Sequence, residues 1–241
     1  MSAPGARLFE GERALVTGAA SGIGRAIAAA LEAEGASVLR TDLAGEGKQF
    51  IAADLSVKDE YKKLLAHTES VSIFVHSACP RRHEADAAMA VDRDTWDAML
   101  EVNLASGFFL AREIGRAMRE KGIRGRMLFL TSLHAHTPRN LPHYAASKAG
   151  MTMIVKELAR ALGPAGIRVN ALAPGAVPGG GFAGDFTALA KKIPLGRVGN
   201  PDEIAQSALA LLSNRFSAYV TGTTLAVDGG LALHSWIEPP S

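Results

Sequence analysis

The sequence predicts one doubly wound α/β domain, a mostly parallel seven-stranded sheet with helices on both faces. Three observations carry that reading. Short apolar runs alternate with longer amphipathic stretches almost from end to end. The runs are continuously apolar rather than alternating, as strands buried on both faces require. A glycine-rich turn joins the first run to the first amphipathic stretch, the arrangement that opens a βαβ unit.

The strands are expected at residues 14–17, 38–41, 50–53, 71–76, 127–131, 169–173 and 225–227. Ile23, Ile27 and Leu31 recur every four residues and mark the first helix, which Gly35 ends. Only Leu43 to Gln49 separates the second strand from the third. That is too short for a helical crossover, so a loop is expected there. Met151, Ile154, Leu158 and Leu162 mark a long helix that carries Tyr144 and Lys148 and stops at Gly163-Pro164. Residues 178–196 open on glycines and turn weakly helical, which reads as a substrate-loop flap or as a plain surface loop. Residues 231–241 form a C-terminal tail whose Leu233, Trp236 and Ile237 are expected to cover a surface, such as that of a neighbouring subunit.

No repeat or linker divides the 241 residues, so one domain is expected over 1–241. Hydrophobic residues make up 48% of the chain and charged residues 21%, enough for a large core, which excludes a disordered chain. The 26 basic residues nearly balance the 24 acidic ones and form no run, which argues against a nucleic-acid partner. No apolar stretch reaches the length of a membrane span, and MSAPGARLFEGE has no signal-peptide core. The single cysteine, Cys79, rules out an internal disulfide framework. A cytoplasmic location is expected.

Thr17-Gly-Ala-Ala-Ser-Gly-Ile-Gly24 lies between the first strand and the first helix. Glycines there let a pyrophosphate approach the backbone, and the helix amino terminus faces its charge. Gly18, Ser21, Gly22, Ile23 and Gly24 are therefore candidate cofactor-binding residues. Asp42, at the end of the second strand, can accept from both hydroxyls of an adenosine ribose and repels a 2′-phosphate, which favours NAD over NADP. Arg40 and Lys48 are nearby cations that weigh the other way. Asp54 ends the third strand, either to receive an adenine amino group or to cap the next helix.

Tyr144 and Lys148 stand one helical turn apart on a single face. A phenol with a pKa of about 10 needs about 4 kcal/mol of preference for the phenolate to titrate near 7. One ammonium about 4 Å away supplies that order of energy at an effective dielectric near 20. Ser132 is placed to hold a substrate oxygen beside the pair, with Thr131 as the alternative.

Together these segments resemble the short-chain dehydrogenase/reductase family. The resemblance rests on TGAASGIG at 17–24, Asp54-Leu-Ser, WDAMLEVN at 96–103, Ser132, YAASK at 144–148, VNALAPG at 169–175, IPLGR at 193–197, and Val220-Thr-Gly through Val227-Asp-Gly-Gly230. It implies a Rossmann domain in which Tyr144 is the general acid/base and Lys148 lowers its pKa and binds the nicotinamide ribose. Ser132 would fix the reacting oxygen, and Asn103 would hold a water linking Lys148 to solvent. Leu43, Leu55, Ala78, Pro174 and Val177 would complete the cofactor wall. A homotetramer that needs no metal is implied as well.

The chain also departs from the family. Asn-Asn-Ala-Gly after the fourth strand is here His76-Ser-Ala-Cys79, so His76 and Ser77 are expected to brace the strands. Cys79 is expected to be packed rather than nucleophilic. Pro178-Gly179 stands where the family offers a threonine to the cofactor, which leaves backbone groups for that contact.

Arg81, Arg82 and His83 follow the fourth strand, and His134, His136, Arg139 and His143 lie between Ser132 and Tyr144. With Arg81, His134 and Arg139 as candidate contacts, this group points to a polar small-molecule substrate, such as a sugar, polyol or sugar acid. The expected activity is hydride transfer between nicotinamide and a secondary alcohol or ketone. The competing readings are a carbonyl or 3-oxoacyl thioester reductase using NADPH, and a non-catalytic NAD sensor.

Overall fold

The computed structural model describes residues 7–83, 85–179, 182 and 184–233. Trp236 and Ile237 lie outside them. Seven strands, β1 (Arg13–Thr17), β2 (Ser37–Asp42), β3 (Phe50–Ala52), β4 (Ile73–His76), β5 (Arg126–Leu130), β6 (Arg168–Pro174) and β7 (Thr224–Val227), form one sheet in the order β3-β2-β1-β4-β5-β6-β7. Every neighbouring pair is parallel. The order reverses between β1 and β4, and beyond their carboxyl ends such a sheet leaves a ligand crevice.

Alternation along each strand sends side chains to two separate cores. Leu15, Phe74, Met127, Phe129 and Val169 pack with Leu110, Ile114 and Val155 from α4 (Ser106–Glu120) and α5 (Pro142–Leu162). Ala14, Val16, Ile73, Val75 and Leu128 pack with Ile27 and Leu31 of α1 (Gly22–Ala33) and Ile204 and Leu209 of α7 (Pro201–Leu212). Both faces are covered, which is why the strands read as unbroken apolar runs.

Residues 43–49 return the chain from β2 to a parallel β3 as a loop. β3 has only three residues, so the return covers about 10 Å along the strand. Gln49 accepts from the Arg40 backbone N–H at 2.8 Å, and its amide donates to Ser37 Oγ at 3.2 Å. After α2 (Lys58–Leu65) and β4, helix α3 (Arg93–Leu100) passes into one π-helical turn, Glu101–Ala105, before α4. That widened turn buries Asn103 completely.

Helix α5 starts on Pro142 just after Asn140, whose φ is 60°, and ends through a 3₁₀ turn at Gly166, with φ 73°. In the segment 178–196, Gly179 and Phe182 exchange two backbone hydrogen bonds of 2.9 Å, followed by α6 (Thr187–Ala190). A capping box between Asn200 and Glu203 starts α7, and α8 (Asn214–Ser217) follows it. No helix of the described residues is long and apolar enough to cross a membrane.

Candidate active site

A cavity of about 1140 Å³ opens at the carboxyl ends of the strands. Its walls hold Gly18, Ser21, Gly22, Ile23, Gly24, Asp42, Leu43, Asp54, Leu55, Ala78, Ser132, Tyr144, Lys148, Pro174 and Val177. Arg81, His134 and Arg139 line it too. Of the candidate catalytic, cofactor-binding and substrate-contact residues, Asn103 is not on the wall.

The glycine turn fits a dinucleotide. Helix α1 begins at Ser21, which makes no side-chain cap, and its first turn carries no acidic residue, so its N–H groups face the cavity uncompensated. Gly22, with φ 53°, has nothing within 4 Å of where a Cβ would stand. Gly18, with φ 68°, instead presses on Ala78, whose backbone N would lie 2.7 Å from such a Cβ. One glycine shapes the turn and the other leaves room for a ligand.

At the far end, Asp42 accepts from the backbone N–H of Ala20 at 3.0 Å and of Leu43 at 2.8 Å, which aims its carboxylate across the crevice. Arg40 points away. Its guanidinium binds Glu32 through two hydrogen bonds, of 3.2 and 2.7 Å. Asp54 accepts from the backbone N–H of Ser56 at 2.9 Å and from its hydroxyl at 2.7 Å, and helix α2 is capped by Val57. The expected helix cap is therefore a local turn.

Tyr144 and Ser132 are almost wholly buried. Burial pushes the Tyr144 phenol above its ordinary value, and the guanidinium groups of Arg82 and Arg139 and the Ser132 hydroxyl oppose that rise. Lys148 Nζ donates to the Leu130 carbonyl at 2.8 Å and lies 5.7 Å from the centroid of the tyrosine ring. Burial depresses the Lys148 ammonium itself. Thr131 donates to the Leu172 carbonyl at 2.8 Å, so its hydroxyl braces the sheet, whereas Ser132 lines the cavity beside Tyr144.

Three expectations change. Cys79 is exposed on the cavity wall rather than packed, because the chain leaves the sheet at the end of β4. His136 and His143 do not line the cavity, and His143 is fully buried beneath it. Arg82, rather than Arg81, is drawn to the phenol, with its guanidinium 4.7 Å from the ring centroid. His134 meets the same ring edge-on at 6.4 Å.

Phe182, Leu189 and Lys192 bring the 178–196 segment to the cavity, and Arg139 lies 5.6 Å over the Phe182 ring. Sequence reading missed Phe182, although an aromatic residue after a run of glycines was the available signal. Leu231 of the tail also faces the cavity. Among the described residues no cluster of histidine, cysteine and carboxylate side chains is arranged to hold a metal.

Fold and site define a nicotinamide-dependent oxidoreductase class, and comparison with known proteins agrees. A family model described as enoyl-(acyl carrier protein) reductase matches residues 18–232. The chain belongs to the short-chain dehydrogenase/reductase family. It is 36% identical over 243 residues to the 3-oxoacyl-(acyl-carrier-protein) reductase of Escherichia coli strain K12, covering 92% of this chain and 98% of that one. It is 35% identical over 252 residues to the D-threitol dehydrogenase of Mycolicibacterium smegmatis, covering 93% and 94%. A Beutenbergia cavernae protein assigned as an NAD(P)-dependent gluconate 5-dehydrogenase, crystallised with NADP at low occupancy, superposes with a TM-score of 0.84 at 30% identity, covering 95% of this chain and all of that one.

Proposed function

We propose that the protein is an NAD-dependent dehydrogenase acting on a secondary alcohol of a polar substrate, a sugar, polyol or sugar acid. The observation that carries this reading is the Ser132–Tyr144 pair on the wall of a cavity whose other end is the glycine turn. Bound between them, a nicotinamide supplies the hydride acceptor, or the donor in reverse. Gly18, Ser21, Gly22 and Ile23 hold its pyrophosphate, and Asp42 the adenosine ribose. Ser132 donates to the substrate oxygen and orients it toward Tyr144. As phenolate, Tyr144 takes the alcohol proton; as phenol, it returns one to a carbonyl. Lys148 favours the phenolate and binds the nicotinamide ribose. Asn103, placed behind Tyr144, serves the proton route.

Cations around the phenol, Arg82 above all, support a polar substrate. The threitol and gluconate enzymes among the relatives are consistent with it. NAD is supported by Asp42 and by the pairing of Arg40 with Glu32. The second reading, a 3-oxoacyl thioester reductase using NADPH, draws on the likeness to the Escherichia coli enzyme. A homotetramer is supported by exposed Phe216, Tyr219 and Leu225 near edge strand β7. The single cysteine suits a cytoplasmic location.

The test is a turnover screen of sugars, polyols, hydroxy acids and 3-oxoacyl thioesters with NAD(H) and NADP(H). Oxidation of polar alcohols with NAD is expected. Turnover restricted to thioesters with NADPH would install the second reading. Tyr144→Phe should abolish turnover while NADH still binds, which separates an enzyme from a sensor.

A further inference from the structure

A line of buried polar side chains runs beneath the cavity. Thr17, His76, Asn103 and Ser147 are each 0% exposed, and Tyr144 is 6% exposed. His76 is the hub. Its Nε2 lies 3.1 Å from the Asn103 carbonyl oxygen and 3.2 Å from that of Val102. Two acceptors require that Nε2 carry the hydrogen. Nδ1, 3.0 Å from Thr17 Oγ1, then accepts from that hydroxyl.

The line continues in both directions. Thr17 Oγ1 accepts from the backbone N–H groups of Ser77 and Ala78, at 3.1 and 3.2 Å, and Ala78 lines the cavity. On the other side Asn103 Nδ2 donates to Ser147 Oγ at 2.8 Å, and Ser147 Oγ donates to the Tyr144 carbonyl at 2.8 Å. Gly107 provides the room, since a Cβ there would stand 2.7 Å from His76 Cδ2.

We propose that His76 is a positioning residue that fixes the cofactor wall at Ser77-Ala78 and the catalytic turn of α5 in one register, through the Nε2–H tautomer. The inference rests on the reading of Tyr144 as the proton-transfer group. An asparagine in this place sets an oxygen near the position of Nδ1 but nothing at that of Nε2. Histidine therefore adds a link from β4 to the π-helical turn, where its donor meets the Asn103 carbonyl and that of Val102, which also accepts from Ser106 Oγ at 2.7 Å.

The two halves of the link separate by substitution. His76→Asn keeps an acceptor for Thr17, and His76→Gln keeps a donor for the Val102 and Asn103 carbonyls. Titration of ¹³C-labelled Tyr144 in the apo protein and NADH affinity by fluorescence read them independently of any substrate, with thermal melts confirming folding. In His76→Asn, water reaching a loosened Tyr144 should bring its titration down toward the ordinary phenol value, with NADH affinity retained. In His76→Gln the titration should stay in place while NADH binds several-fold more weakly, the scale of one buried hydrogen bond. Unchanged titration and affinity in both variants, with only the melting temperature lowered, would overturn the proposal. So would the reverse pattern. Loss of turnover in Tyr144→Phe addresses the dehydrogenase reading separately, so the two can fail apart.

Discussion

The guanidinium of Arg82 lies 4.7 Å from the centroid of the Tyr144 ring, so the proposed proton-transfer residue carries a cation on its face. Burial raises the phenol, and Arg82 pulls it back. Removing the cation should therefore move the rising limb of the oxidation pH profile to higher pH. Arg82→Ala is expected to lose about three- to tenfold in kcat/KM at pH 7, the range of a partly buried cation–π contact. Arg82→Lys should recover part of that loss. A profile that does not move would assign Arg82 to the solvent.

Cofactor choice turns on two carboxylates. Asp42 lines the end of the cavity proposed for the ribose, while Glu32 holds Arg40 in a pair on the neighbouring surface. Asp42→Ala should reduce the NAD:NADP preference by about tenfold through loss of one charge-assisted contact and relief of repulsion. Adding Glu32→Ala frees Arg40 to turn toward a 2′-phosphate and should shift the ratio further. A ratio of kcat/KM that already favours NADP in the unaltered protein would show that the acidic end is not the ribose site.

Much of this architecture was legible in the chain. Strands covered on both faces, such as 73–76 and 126–130, must be largely apolar, so their runs stood out despite His76 and Arg126 at their ends. The loop between β2 and β3 followed from its length alone. What stayed hidden was produced by convergence in space. Glu101–Ala105 reads as ordinary helix, and nothing in its residues marks the π turn that buries Asn103. Arg82 meets Tyr144 across a large gap in sequence, and nothing local distinguishes it from Arg81. His143 looked like a rim residue because its neighbours are polar, yet the first turn of α5 carries it inward.

Two buried histidines set a pH limit on stability. Burial depresses His76 to about 3 and lowers His143 from the usual value of 6.5. Lys148 adds to the depression of His76. Between these values the unfolded chain binds protons that the folded protein refuses. Stability is thus full above 6.5 and falls as pH drops below it, by about 1.4 kcal/mol per pH unit for each group fully in that window. Chemical denaturation at pH 7.5, 6.5, 6.0 and 5.5 should show the decline before ordinary carboxylates titrate. His76→Asn should flatten it. Equal slopes in the two proteins would mean that His76 is not held neutral.

Gly18 and Gly22 share a left-handed backbone, with φ of 68° and 53°, yet substitution should affect different properties. Alanine costs about 1–2 kcal/mol of conformational strain at either position. At Gly18 the added carbon also falls 2.7 Å from the Ala78 backbone N, so the turn must move away from β4. Gly18→Ala should lower the melting temperature markedly and weaken NADH binding only as a consequence. At Gly22 the carbon meets no protein atom within 4 Å and enters the space proposed for the pyrophosphate. Gly22→Ala should melt nearer the unaltered protein and yet bind NADH at least tenfold more weakly, about 1.4 kcal/mol. Calorimetry and fluorescence titration on the same samples make the comparison. Parallel losses of stability and affinity in both variants would show that the cavity at Gly22 is not where the cofactor lies.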